Sequence, residues 1–235
     1  MEKFSIESNI ATVVKEFPLS SKVFYKHGID FCCGGNRSIG TACESKSIDL
    51  QNFLSELNES SLNESERKPM DLSKEELIDY ILKNYHEPFW EDANLINHLS
   101  EKVARVHGKE HPELLKLNEL WKSLFDDLKF HFQKEESILF PMIIGLERGD
   151  GGNMGCRVDG PIAQMEHEHT EVADILREMK AITNQYELPS TACNSYRALF
   201  ASIQKVELEL YEHIHLENNI LHPGALKLLE SIQGE

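Results

Sequence analysis

The sequence predicts an all-α protein in which an up-down four-helix bundle follows a small helical N-terminal domain. From residue 71 onward, apolar residues recur at alternating spacings of three and four, as expected for helices that pack side by side. Four such stretches occur, separated by segments that contain Gly or Pro. Before them, shorter apolar clusters end at Pro18 and Gly28, which is typical of short helices.

This pattern divides the chain into three parts. We expect residues 1–57 to form the small helical domain, which carries a Cys-Cys-Gly-Gly motif at Cys32–Gly35. Residues 58–70 are rich in Asn, Glu and Ser, a composition typical of a polar linker. Residues 71–235 are expected to form the bundle.

Capping and breaking residues delimit the four long helices. Ser73 followed by Glu76 is a capping-box signature for the start of the first helix, and Gly108 suits its end. Prolines bound the other three: they are predicted to begin near Pro112, at Pro161 and after Pro189, and the last to stop near Pro223.

A duplicated motif lies on the second and fourth helices. His131 is followed by Glu135, then by Ile-Leu and Pro141, and the same pattern recurs from His213 through Glu217 to Pro223. Residues four apart lie on one helix face, so each copy directs an imidazole and a carboxylate the same way. A single copy is common on solvated surfaces, whereas two copies with the same tail indicate a shared site.

Each long helix has a stripe of apolar residues that should face the bundle core, and this stripe is called the seam. Polar residues interrupt the seam of every long helix at one level of the bundle. They are His86, His131, Glu135, His169, His213 and Glu217. Burying two carboxylates without compensation would cost several kcal/mol each. The sequence therefore predicts a metal site at mid-bundle, where helical bundles commonly build such sites.

The donor types limit the choice of metal. Imidazole with carboxylate fits iron, manganese or zinc, and the absence of thiolate at this level argues against a structural zinc site. The set suits two metal ions, with Glu135 and Glu217 as candidate bridges.

Other polar residues lie on the same helices as the six predicted ligands. His107 lies on the seam of His86 but about 31 Å further along a straight helix, too far to share one metal pair. Glu168 and Asp127 either contact the ligands as outer residues, line an access path to the site, or lie on a solvated surface. Two histidines lie two residues from predicted ligands and should face away from the site, in outer or surface positions: His167 and His215. The remaining histidines should be structural or exposed: His27, His98, His111 and His222.

Bulk composition excludes several functions. The net charge of −16 argues against binding to a nucleic-acid backbone. The sequence has no apolar signal segment and no run long enough for a membrane span. Five cysteines without a paired spacing indicate reduced thiols, so we expect a cytoplasmic protein.

With these residues placed, the chain resembles the Repair of Iron Centers family of hemerythrin-like di-iron proteins over nearly its whole length. The motifs that carry the resemblance are Asp30–Gly35, Tyr85-His86, Val106–Gly108, Lys134–Pro141, Gly160–Ile162, Met165–His169 and His215–Asn219.

The resemblance implies two non-haem iron ions with oxo and carboxylate bridges. It further implies a cytoplasmic protein induced by nitrosative and oxidative stress that restores damaged iron–sulfur clusters by supplying iron. The implied partners are damaged iron–sulfur proteins, with nitric oxide or dioxygen as small ligands; a homodimer is left open. The family often counts a histidine at the position of His107 among its ligands, which conflicts with the spacing.

Two questions stay open at this level. Cys32 and Cys33 either accept iron, nitric oxide or a target thiol, or act as small fillers before a Gly-Gly turn; adjacent cysteines rarely bond to each other. The main alternatives to repair are a dioxygen- or nitric oxide-binding sensor or carrier, and an enzyme such as a nitric oxide reductase or ferroxidase.

Overall fold

The computed structural model describes residues 3–60, 68–149 and 158–233. Helices account for the regular structure of these ranges, which confirms the all-α prediction. Most of the predicted linker (residues 61–67) and residues 150–157 lie outside the described residues.

Within the described residues 3–60, four short helices form the N-terminal domain: α1 (Ile10–Glu16), α2 (Ser21–Lys26), α3 (Ile39–Ser45) and α4 (Leu50–Ser60). The side chains of Asn9 and Ser38 cap α1 and α3 by accepting backbone N–H bonds. The core of this domain is aromatic, with the rings of Phe24 and Phe53 centred 5.5 Å apart. Helix α4 extends three residues into the segment predicted as linker.

In the described parts of the bundle, residues 68–149 and 158–233, there are four long helices, three of which contain a π-helical segment. The first joins α5 (Lys74–Ile81) to α6 (Glu87–His107) through π-segment Leu82–His86, and the second joins α7 (Glu113–Lys134) to α8 (Phe140–Glu147) through Glu135–Leu139. The third is α9 (Asp159–Ile182), and the fourth joins α10 (Asn194–Leu216) to α11 (His222–Gln233) through Glu217–Leu221. The capping box at Ser73 and the helix end at Gly108 are confirmed.

The predicted stop near Pro223 is wrong, because the fourth helix continues to Gln233. The residue that follows each π-segment donates its backbone N–H to the carbonyl of the segment's first residue, five positions earlier. A proline then follows at Pro88, Pro141 or Pro223. Proline lacks an N–H and its ring crowds the preceding turn, and the wider π turn accommodates both consequences.

The bundle core is split at one level. Helix α6 packs against α7 and α10, and α7 packs against α9. One apolar cluster includes Leu128 and Leu210, and a second, on the other side of the predicted metal site, includes Leu139 and Leu221. The six predicted ligands occupy the layer between them.

The N-terminal domain packs against the side of α10. Tyr211 of α10 contacts the aromatic core of that domain, with its ring centred 6.1 Å from that of Phe31. Tyr25 donates a hydrogen bond to Glu207 at 3.1 Å, and Ser21 donates one to Glu212 at 2.6 Å. The domain therefore adjoins the helix that carries His213.

Across the described residues, no helix is both long and apolar enough to span a lipid bilayer.

Candidate metal centre

Four buried histidines meet in pairs at the centre of the bundle. The Nε2 atoms of His86 and His213 lie 3.2 Å apart, and those of His131 and His169 lie 3.1 Å apart. All four side chains are almost fully buried. Each imidazole therefore directs Nε2 inward and keeps Nδ1 for contacts outside the cluster.

The two buried glutamates lie between these pairs. Glu135 directs Oε1 to His131 Nε2 at 3.1 Å and Oε2 to His86 Nε2 at 3.4 Å. Glu217 directs Oε1 to His213 Nε2 at 3.0 Å and Oε2 to His169 Nε2 at 3.1 Å. Each carboxylate thus presents one oxygen to each histidine pair, the arrangement expected of a bridging ligand.

The donor atoms form two overlapping groups of four. One contains His86 and His213, the other contains His131 and His169, and both contain Glu135 and Glu217. Within each group the ligand atoms lie within 4.8 Å of one another. All six residues predicted from the seam are brought together in this cluster.

The cluster fits a metal because its carboxylates need a cation. Among the described residues, no oxygen of Glu135 or Glu217 makes a well-aligned hydrogen bond, although imidazole Nε2 atoms lie 3.0–3.4 Å away and both side chains are completely buried. Burial opposes ionisation, but the neighbouring charges of His213 and His169 hold the pKa of Glu217 well below its usual range. Burial likewise opposes charge on His131, yet Glu135 raises its pKa to about 10. A cation bound by neutral imidazoles would provide the positive charge that the ionised carboxylates require.

Outer hydrogen bonds orient three of the four imidazoles. His131 Nδ1 donates to Glu168 at 2.9 Å, His86 Nδ1 to Glu136 at 2.8 Å, and His169 Nδ1 to Asn218 at 2.8 Å. The bond from His131 lowers the pKa of Glu168 to about 2. Such partners fix the ring and the tautomer of a metal-binding histidine.

Comparison of the sequence with known proteins identifies the family to which it is similar. The family model described as "Hemerythrin HHE cation binding domain" matches residues 77–225, and one described as "Domain of Unknown function (DUF542)" matches residues 6–61. Iron-sulfur cluster repair protein ScdA of Staphylococcus haemolyticus is 36% identical over 216 residues, which cover 92% of this chain and 96% of that protein. Iron-sulfur cluster repair protein YtfE of Musicola paradisiaca is 34% identical over 224 residues, with 94% and 97% covered.

The chain belongs to the iron–sulfur cluster repair family of hemerythrin-like proteins. The resemblance inferred from the sequence motifs is thereby confirmed. The buried His and Glu cluster of this family member fits the binding of a metal.

Two residues considered as ligands or outer residues lie elsewhere in this family member. His107 is at the far end of α6, where its Nε2 is 3.2 Å from Cys193 Sγ and its ring packs against Tyr196. It lies 21 residues after His86, at the C-terminal end of α6, as the spacing argument required. Asp127 is exposed on α7, which favours the solvated-surface reading. Glu168, by contrast, is a direct partner of His131.

Sequence reasoning missed several residues near the centre. His222 was expected to be structural or exposed; it is completely buried, with its ring stacked parallel to that of His169 at 6.2 Å. Glu136 and Asn218, which each follow one of the two shared glutamates, contact His86 and His169. Tyr85 stacks on His213 at 5.8 Å and lines a cavity of about 190 Å³ beside the N-terminal domain.

The two adjacent cysteines differ in exposure. Cys32 is buried in the bundle core and Cys33 is exposed, with their sulfur atoms 3.8 Å apart. Burial, with contributions from Cys33 and Asp30, raises the pKa of the Cys32 thiol. Asp30 accepts backbone hydrogen bonds from both cysteines at 3.0 and 3.1 Å, which holds the motif in a tight turn.

Proposed function

We propose that the cluster binds two iron ions and that the chain repairs damaged iron–sulfur clusters. The observation that carries the proposal is the sharing of Glu135 and Glu217 by both groups of donors. Each ion would receive two imidazoles and one oxygen from each carboxylate.

Repair is proposed because the relatives that match over more than nine-tenths of the chain are named iron–sulfur cluster repair proteins. Iron bound at the cluster would supply redox change and ligand exchange. The chain's own residues would hold that iron through Glu135 and Glu217, each of which presents one oxygen to each histidine pair. Supply of iron to a damaged cluster is the mode of repair we propose.

The division of the chain into residues 1–57, 58–70 and 71–235 is part of this proposal. The small domain would present Cys33 at the surface close to the bundle site, since Cys33 contacts Asn218. A damaged iron–sulfur protein would then meet a thiol before it meets the buried metal.

Transfer of labelled iron tests this proposal. The chain is loaded with isotopically labelled iron and mixed with an iron–sulfur enzyme damaged by nitric oxide. We expect recovery of activity beyond that produced by the same amount of free iron, and label in the rebuilt cluster. The matched control is the Glu135→Ala/Glu217→Ala double variant, which lacks the bridging carboxylates. Recovery no greater than with free iron would contradict the proposal.

A second candidate is binding or reduction of a small ligand such as nitric oxide or dioxygen. It is favoured by the ligand count, because four protein donors leave positions on each iron open. A carrier or sensor would give a stable, reversible spectrum with a stoichiometric amount of dioxygen. A nitric oxide reductase would form nitrous oxide repeatedly in the presence of an electron donor. Neither assay requires a damaged cluster, so both separate these functions from repair.

A further inference from the structure

A chain of hydrogen bonds joins the exposed thiol of Cys33 to the metal site. Asn218 accepts the bond from His169 Nδ1 at 2.8 Å, and its Nδ2 donates to Cys33 Sγ at 3.7 Å. His169 Nε2 lies in the cluster, 3.1 Å from Glu217. One amide therefore contacts both a surface thiol and a predicted ligand.

Neighbouring contacts fix the position of this thiol against the helix. Asn219 donates a hydrogen bond to the carbonyl of Cys32 at 3.1 Å. His215 Nδ1 donates to the carbonyl of Phe31, also at 3.1 Å. The turn that carries the cysteines is therefore held by three side chains from one stretch of the fourth helix, so the contact between Cys33 and Asn218 is part of a defined interface.

The duplicated motif provides an internal comparison. Glu136 occupies the position in the second helix that Asn218 occupies in the fourth, and it accepts the bond from His86 Nδ1 at the same distance of 2.8 Å. A carboxylate is thus sufficient to orient an imidazole here. An ionised carboxylate has no donor, whereas an amide has both an acceptor and a donor. The feature that an amide adds at position 218 is the N–H that reaches Cys33.

We propose that Asn218 is a positioning residue through which the Cys33 thiol controls how firmly His169 holds its metal. The Cys33 sulfur accepts the amide N–H and so fixes the orientation of Asn218, whose oxygen then orients the imidazole. Without the sulfur the amide N–H has no acceptor at this position, so Asn218 is held less firmly and orients His169 less well. The Cys33 thiol therefore affects how firmly metal is held by His131 and His169. It does not affect how firmly metal is held by His86 and His213. This inference rests on the proposed two-metal site.

Release of iron to an excess of chelator tests the link in the full chain. Loss of an outer hydrogen bond typically weakens metal binding by about 10–100-fold. We therefore expect Cys33→Ala to accelerate the release of one iron by about that factor and to leave the other unchanged. Cys193→Ala, which removes the exposed thiol at the far end of the bundle, should leave both rates unchanged.

A double-mutant comparison shows whether the effect passes through the amide. Asn218→Asp keeps an acceptor for His169 but removes the donor to Cys33, so Cys33→Ala should have no further effect in that background. Glu136→Gln should alter release from the other position, and its effect should add to that of Cys33→Ala. An unchanged release rate in Cys33→Ala, or a full effect of Cys33→Ala on top of Asn218→Asp, would overturn the inference. Failure of the unmodified chain to bind two irons would instead contradict the proposed function.

Discussion

The carboxylates of Glu135 and Glu217 are the residues on which the proposed metal pair most depends. Replacing either with Ala removes one oxygen from each position at once, so we expect both metals to be lost together. The affinity should fall by more than the roughly 10–100-fold that loss of an outer hydrogen bond costs. Elemental analysis of purified Glu135→Ala and Glu217→Ala measures the loss, and far-ultraviolet circular dichroism should show that the helices persist.

Glu171→Ala is the matched control for this pair, because Glu171 is an exposed glutamate on α9. It should retain the metal content of the unmodified chain. Full retention of metal in both bridging variants would show that these carboxylates do not join the two positions.

For His107, the family resemblance implies a metal ligand, whereas the helix geometry places the residue too far from the site to be one. Its contact with Cys193 lies at the end of α6 remote from the cluster. We expect His107→Ala to keep both metals and to lose only about 0.5–1.5 kcal/mol of stability, the usual value of one hydrogen bond. Metal content and thermal unfolding measured on the same preparation check both parts. Loss of one metal would mean that the chain can bring His107 to the site.

At this scale the seam pattern predicted the six inward-facing donors but not their outer partners. His86 and His131 fall on positions that face the core by simple helical spacing. Glu136 and Asn218 follow ligands directly, and an ordinary helix turns each next residue about 100° away. Their contacts depend on which helix lies beside them and on the wider turn that begins at the preceding glutamate, and neither feature is encoded in a local pattern.

The π-segments are the elements that sequence periodicity did not predict. Apolar residues spaced alternately three and four apart indicate an α-helix. One additional residue in a single turn changes this spacing too little for a π-segment to be recognised. The prolines at positions 88, 141 and 223 carried the relevant signal, although Pro223 was interpreted as a stop. Each proline follows a π-segment that begins or ends at a predicted ligand. π-segments frequently occur at functional sites, where they reorient a side chain.

Deletion of Ser137 tests the role of the second π-segment. Ser137 is exposed within Glu135–Leu139, so its removal should convert the π turn to an α turn without removing a core residue. The shortened turn would change the orientation of Glu135 relative to the residues that follow it, because a π turn and an α turn rotate the chain by different amounts per residue. Because Leu139 and Ile143 pack in the core next to the site, Glu135 and these residues could not both keep their places.

We therefore expect the Ser137 deletion to lose metal while it remains helical, as measured by elemental analysis and circular dichroism. Ser137→Ala keeps the chain length and should retain metal. If the deletion variant binds metal as well as Ser137→Ala does, the π-segment is not needed to position Glu135.

For the whole molecule, composition and spacing predicted a bundle and a small domain but not how the two pack together. The contacts of that interface are scattered along the chain: Tyr25 meets Glu207, and Phe31 meets both Tyr211 and His215. Taken alone, each of these residues would be interpreted as an ordinary core or surface residue. The residues between the two domains are polar and do not indicate how the domains pack. The approach of Cys33 to Asn218 follows from this packing, so no local pattern could reveal it.

The metal should also stabilise the fold as a whole, because it compensates two carboxylates buried between two halves of the core. Binding to the folded state alone stabilises it by about 4 kcal/mol when free metal is about a thousand times its Kd. For a chain of this size each kcal/mol corresponds to roughly 2–4 °C, so chelation should lower the Tm by about 8–16 °C. Differential scanning calorimetry of the loaded and the chelated protein measures this shift. In Glu135→Ala/Glu217→Ala the chelator should leave the Tm unchanged, since that variant has no bridged metal to lose. Equal Tm values for the loaded and the metal-free unmodified chain would mean that the histidine charges alone, and not a metal, balance Glu135 and Glu217.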